Sequence, residues 1–203
     1  MPNQTFFNLN EEKQNRIMES AINEFSNKIY EQVNLSDIIK KAKIPRGSFY
    51  QYFVDKKDLY LHILETIKQT KLKYMGDTFY NEDIPFTDLV LLLYKQGVQF
   101  AINHPKFVEI FDKLLNNKND IYDEIMRENL AFAKAYYISR IEKDKDKGYI
   151  RKDLHSETLA EIVSSLTTNI TINDLDINNK EESYKKMNEN IKHIMDILKR
   201  GIN

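Results

Sequence analysis

Two residues in one short stretch could read the edges of base pairs, and two small ones beside them could let them approach. Arg46 and Gln51 are long enough to form paired hydrogen bonds with base edges, and Gly47 and Ser48 are small enough to let a backbone approach closely. At 100° per helical residue, Phe49 and Phe53 form a buried pair four apart, and Gly47, Ser48 and Gln51 point away from it. Tyr50 and Tyr52 fall on opposite flanks, where phenolic hydroxyls would reach phosphate oxygens. Two tyrosines beside two phenylalanines also suit ordinary core packing. The small polar outward face, the basic turn before it and Lys56 and Lys57 after it favour a groove-binding surface.

The elements that must position this stretch are legible around it. Asn10 caps a first helix that opens with Glu11 and Glu12 and carries Ile17, Ala21 and Phe25 on one face, widened by Met18 and Ile22. Asn34 caps a second, with Asp37 at its third position and Leu35, Ile38, Ile39 and Ala42 as its apolar face. Lys43, Ile44 and Pro45 break the chain, and Pro45 suits the first position of a third helix. From Asn34 to Lys57, Lys40, Lys41, Lys43, Arg46, Lys56 and Lys57 face only Asp37 and Asp55, a basic patch in a chain of formal charge −1.

Phe25, Tyr30, Ser36-Asp37-Ile38, Ala42, Gly47-Ser48-Phe49-Tyr50-Gln51-Tyr52-Phe53, Lys56 and Leu59 resemble the N-terminal DNA-binding domain of TetR/AcrR-type transcriptional regulators, over residues 13–59. The resemblance implies that Arg46, Gly47, Ser48 and Gln51 face the major groove. It implies phosphate contacts from Ser36, Tyr50, Tyr52 and Lys56, with backbone N–H groups of the helix starting near Lys56 beside them. Three positions depart from the family, which usually has Gly where Ile29 stands, often Gly at Lys43, and commonly Ser or Thr at Pro45. Ile29 and Lys43 imply non-glycine conformations at the two turns, and Pro45 supplies no side-chain cap.

The remainder of the chain reads as helices. Five Gly and four Pro in 203 residues leave room for long helices, and no segment shows sustained β-branched alternation. The expected fold is all-α: a three-helix helix-turn-helix domain over 1–56, joined through a linking helix to a helical ligand-binding and dimerisation domain over 57–203. The linking helix runs from Lys56 to about Tyr74, with a loop from Gly76 to Pro85. Further helices follow from Thr87, after the His104-Pro105 break, from Asp120 to about Lys143, from His155 or Ser156, and after Glu182.

Absence of Cys excludes disulfides, thiol catalysis and thiolate metal sites. The four histidines stand far apart, with no Glu-x-x-His or H-E-x-x-H pattern and no phosphate-binding glycine loop. No enzyme, metal or cofactor is therefore expected. With no signal-peptide pattern and no apolar run of membrane length, the expected location is the cytoplasm.

The family receives an inducing ligand in the region of Tyr94, Phe100, His104, Phe107 and Phe111, continued by Tyr122, Met126, Phe132 and Tyr136. The last two helices carry apolar seams, Leu159, Ile162, Val163 and Leu166 on one and Met187, Ile191, Ile194, Met195 and Leu198 on the other. Pairing these with a second copy gives a homodimer with a four-helix interface. The expected function is a ligand-responsive repressor that binds a palindromic double-stranded DNA operator and leaves it when a small-molecule effector binds. The alternative is a helical small-molecule binder whose helix-turn-helix no longer reads DNA, supported by Ile29, Lys43 and Pro45 alone.

Overall fold

Capping asparagines set the first two major helices where the sequence places them. A computed structural model describes residues 1–174, 176 and 179–202, apart from the side chain at 172. Asn10 accepts from the Lys13 N–H at 2.9 Å ahead of α2 (Glu11–Asn27), which follows a short α1 (Gln4–Phe7). Asn34 accepts from the Ser36 N–H at 2.9 Å ahead of α3 (Leu35–Lys41), after a single 3-10 turn at Tyr30–Gln32. Next come α4 (Arg46–Tyr52) and α5 (Lys56–Tyr80), the latter broken internally by Gly76 at φ 48°, a conformation that favours glycine. The chain continues through α6 (Phe86–Asn103), α7 (Pro105–Asn116), α8 (Asp120–Lys147), α9 (Ser156–Asp174) and α10 (Lys180–Ile202). The protein is all-α: a helix-turn-helix domain at the N-terminus and a helical C-terminal domain, with no strand among the described residues.

These helices gather into two compact units. The first comprises Met1–Lys71 with His104–Lys118. It extends beyond the functional boundary expected at residues 56 and 57, because α5 supplies core to it: Leu59 and Ile63 are fully buried, and Tyr60 packs its ring 4.7 Å from Phe25 and 5.1 Å from Tyr30. It also takes in α7, which packs on α2 through a face that includes the buried Val108, Ile110 and Leu114. Ile17, Ala21 and Phe25 of α2 are the wall for this core, joined by Ile38, Phe49 and Phe53.

The second unit comprises Leu72–Asn103 and the chain from Asn119 onward. Its core draws Phe86, Val90 and Val98 from α6, Ile141 from α8, Leu159, Ala160 and Val163 from α9, and Tyr184, Met187 and Ile191 from α10. Buried charges anchor the loop before α6. The Arg140 guanidinium donates to the Ile84 carbonyl at 2.7 Å, and the Asp144 carboxylate accepts from the Phe86 N–H at 2.6 Å. Gly148 ends α8 at φ 77°, a left-handed cap that lets Tyr149 and Ile150 return their N–H groups to the Asp144 carbonyl.

Candidate nucleic-acid interface

The α3–turn–α4 segment folds as its apolar spacing requires. Phe49 and Phe53 are fully buried and stack at 5.4 Å. This leaves Arg46, Gly47, Tyr50 and Gln51 exposed and Ser48 half-buried, while Ser36 lies exposed in the first turn of α3. A Cβ built on Gly47 meets nothing within 4 Å, and its backbone is ordinary helix, so nothing in the fold requires glycine there. Open space above a glycine in a helix is what a close-approaching partner needs. Pro45 is the cap residue before α4 rather than its first helical residue.

The geometry engages two of the residues expected at phosphates within the protein itself. Tyr52 is only 5% exposed, not a free flank. Phe6 packs beside it with ring centroids 6.4 Å apart, and the Lys13 ammonium lies 5.6 Å from its ring. Lys56 is drawn inward. Its ammonium donates to the carbonyls of Tyr30 at 2.9 Å, Val33 at 3.0 Å and Glu31 at 3.4 Å, and lies 4.6 Å over the Tyr30 ring. These carbonyls close the 3-10 turn, and an ammonium satisfies all three at once. The start of α5 is likewise occupied, since Asp55 accepts from the Asp58 N–H at 2.8 Å and Asp58 reaches back to the Val54 N–H at 3.0 Å.

Sequence spacing also missed the N-terminal segment. Phe6 is 2% exposed, with its ring 4.9 Å from Phe53 and 5.5 Å from His62. The Asn3 N–H donates to the Tyr52 carbonyl at 2.8 Å, and the Asn3 amide and Thr5 hydroxyl both donate to the Gln51 carbonyl. Carbonyls in the last turn of a helix have no partner inside it, and this segment supplies partners for α4. The hint in the sequence is Phe6 and Phe7, with Leu9, in an otherwise polar N-terminal stretch.

The basic patch is rearranged as well. Lys41 pairs with Glu24, a carboxylate 4% exposed that also meets Lys28 at 3.0 Å. The Lys41 hydrogen bond, followed by that of Lys28, outweighs burial and holds the Glu24 carboxyl below the usual range. Lys40, Lys43 and Arg46 remain exposed without an ion pair among the described residues.

The expected pocket residues divide between the units. His104, Phe107 and Phe111 belong to the first, where His104 stacks on Phe107 at 5.2 Å. Tyr94, Phe100, Tyr122, Met126, Phe132 and Tyr136 belong to the second. There Phe79 stacks 4.3 Å from Tyr136 and 6.2 Å from Phe132, which is 48% exposed, and the Tyr136 hydroxyl donates to the Phe79 carbonyl at 2.7 Å. Phe100 is buried against Tyr74, and Tyr94 shares a 3.2 Å hydrogen bond with Thr171 and has its pKa pushed by burial to about 12. Tyr122 and Met126 are half-buried on α8. Two concave surfaces, of about 330 Å³ beside Phe6, Met18 and His62 and about 250 Å³ beside Pro85, Asp144 and Lys199, are lined by none of the nine.

The residues of the expected seams on the last two helices differ in how far the protomer itself covers them. Leu159, Val163, Met187, Ile191 and Met195 fill the protomer's own core, because α9 and α10 pack on each other and on α8 and α6. Ile194 and Leu198 pack partly against that core, Leu166 is half-buried and Ile162 is 44% exposed. Ile197, which the seam omitted, is 70% exposed.

Comparison with known proteins matches residues 17–63 to the family described as bacterial regulatory proteins, tetR family. The HTH-type transcriptional regulator YvdT of Bacillus subtilis is 29% identical over 201 residues, 94% of this chain and 95% of that one. The regulator YdgC of the same organism is 26% identical over 165 residues, covering 79% and 80%. Among solved structures, a TetR family transcriptional regulator from Chloroflexus aurantiacus is 27% identical, with a TM-score of 0.66 over 100% of this chain and 98% of that one. Residues 17–63 thus form a DNA-binding domain of the tetR family, and the chain is a DNA-binding transcriptional regulator.

Proposed function

We propose that the protein is a homodimeric repressor that reads a palindromic operator with α4 and releases it when a small molecule binds the second unit. The observation that carries the reading is the outward face of α4. Arg46, Gly47 and Gln51 are exposed around open space, while Phe49 and Phe53 are buried beneath. Arg46 and Gln51 read base edges, Gly47 and Ser48 permit approach, and Ser36 and Tyr50 meet phosphates. Two such helices on a twofold axis reach half-sites roughly 34 to 36 Å apart, or a multiple of that.

The dimer contact uses apolar side chains that the protomer leaves uncovered on its last two helices, Ile162 and Ile197. The effector site draws on Tyr94, Phe132 and Tyr136, whose hydroxyls and rings suit a largely apolar molecule with few polar groups. By linkage, an effector that lowers DNA affinity binds the DNA-free protein more tightly than the complex, by the same factor. The setting is the cytoplasm, where the DNA is. No helix among the described residues is long and apolar enough to cross a membrane.

The test is sedimentation of the protein with duplexes that it retains from a random-sequence pool, with and without candidate small molecules. Two chains per palindromic duplex, released by one class of molecule, is the expected result. One chain per duplex, or retention that no molecule alters, contradicts it.

A further inference from the structure

We propose that Lys43, in the turn between α3 and α4, binds a DNA backbone phosphate and is held there despite backbone strain. This rests on the reading of α4 as the groove-facing helix.

Lys43 is the one non-glycine residue at positive φ among the described residues, at φ 52°. A Cβ crowds the backbone in that region, and glycine adopts it freely. The turn itself fixes the conformation. Ala42, Lys43 and Ile44 return their N–H groups to Ile38 at 2.8 Å, Lys40 at 3.1 Å and Ile39 at 3.3 Å, closing the end of α3. Ile44 and Ala42, on either side, are buried, so the turn cannot relax without disturbing the core.

The fold gives no reason for a lysine there. Its side chain is exposed and makes no hydrogen bond or ion pair among the described residues. A strained residue whose side chain does nothing for its own fold points to a function outside it. The neighbouring charges indicate which function. Lys41 is paired with Glu24 and Lys56 is tied to three carbonyls, so neither offers a free ammonium at the surface. Between residues 34 and 57, the exposed cations without an ion pair among the described residues are Lys40, Lys43 and Arg46, at intervals of three residues leading into α4. A polyanion lying along α4 meets these charges first, and Lys43 stands where the chain enters that helix.

The test uses the full chain and a duplex that the wild-type protein selects from a random pool. Lys43→Gly is expected to raise the melting temperature, since it removes the strain. It is also expected to weaken binding several-fold at low salt, and to reduce the slope of log affinity against log salt by about one per bound subunit. The wild-type advantage then shrinks roughly threefold to fourfold per subunit, and so roughly twelvefold for a bound dimer, between about 50 and 200 mM salt. Lys43→Asn, which tolerates the left-handed region without a charge, is expected to bind like Lys43→Gly, and Lys43→Arg like the wild type.

Undiminished binding by Lys43→Gly overturns the proposal, and so does weaker binding with an unchanged salt slope. If Arg46→Ala weakens binding and Lys43→Gly does not, the turn contact alone fails. If neither changes binding, or if the wild type retains no duplex, the reading of α4 fails with it.

Discussion

Replacing Lys56 with methionine separates a phosphate contact from an internal clamp. The side chain keeps its length and loses the ammonium, which donates to Tyr30 and Val33 at 2.9 and 3.0 Å, more weakly to Glu31 at 3.4 Å, and lies over the Tyr30 ring. The two shorter contacts are partly solvated, so each contributes about 1 kcal/mol, and the ring contact adds about 0.5 to 1 kcal/mol. Lys56→Met is therefore expected to destabilise the protein by about 2 to 3 kcal/mol, lowering the thermal midpoint by about 4 to 12 °C for a chain of this size. Urea titration gives the first quantity and calorimetry the second. The salt slope of DNA binding, measured on folded protein below the transition, is expected to equal that of the wild type. A variant as stable as the wild type, with a slope reduced by about one per subunit, would refute the clamp and restore Lys56 to the phosphate backbone.

Gly47→Ala is expected to leave the fold intact or stabilise it by up to about 1 kcal/mol, since its Cβ meets nothing within 4 Å. The same substitution is expected to weaken DNA binding by about tenfold, the lower part of the range for a disturbed base contact. Equal affinity in a filter-binding titration would remove the close-approach role. Phe6→Ala, at a position 2% exposed, should cost about 3 kcal/mol. It should also speed amide exchange over residues 48–53, where the N-terminal segment holds the carbonyls of α4, and unchanged exchange would disprove that support. Glu24→Gln should cost about 1 kcal/mol at neutral pH, discounted because Lys28 and Lys41 are 40% and 57% exposed. The folded-state pKa of Glu24 is depressed, so its contribution is present above the unfolded value of about 4.3 and is lost as pH falls through the folded one. Wild type and variant should thus converge in acid, and a gap that widens below about pH 4 would contradict the assigned pairing.

The frame of the DNA-reading unit was legible because its signals are local. Asn10 and Asn34 cap the helices that follow them, and Phe49 and Phe53 are buried at the spacing that an α-helix dictates. The burial of Tyr52 was not legible because it comes from Phe6, a residue outside any periodic pattern. The inward hydrogen bonds of Lys56 were hidden for a related reason: the carbonyls that hold it belong to a 3-10 turn more than twenty residues earlier, which leaves no periodic trace. The packing of α7 on α2 is likewise long-range, and so hidden from a reading by segments. On α9 and α10 the apolar stripes were correctly seen, but a stripe does not say which copy of the chain covers it. Val163 and Ile191 are buried within their own protomer, whereas Ile197 stands outside the stripe and is exposed.

The most direct test of α4 as the reading element is selection of duplexes from a random-sequence pool by wild type and Gln51→Ala in parallel. The expected wild-type result is a palindromic consensus. The expected variant result is the same consensus with preference relaxed at one symmetric pair of positions, because one side chain per subunit has lost its base. Identical consensus sequences from the two proteins, or none from the wild type, would contradict the assignment of Gln51 to the bases.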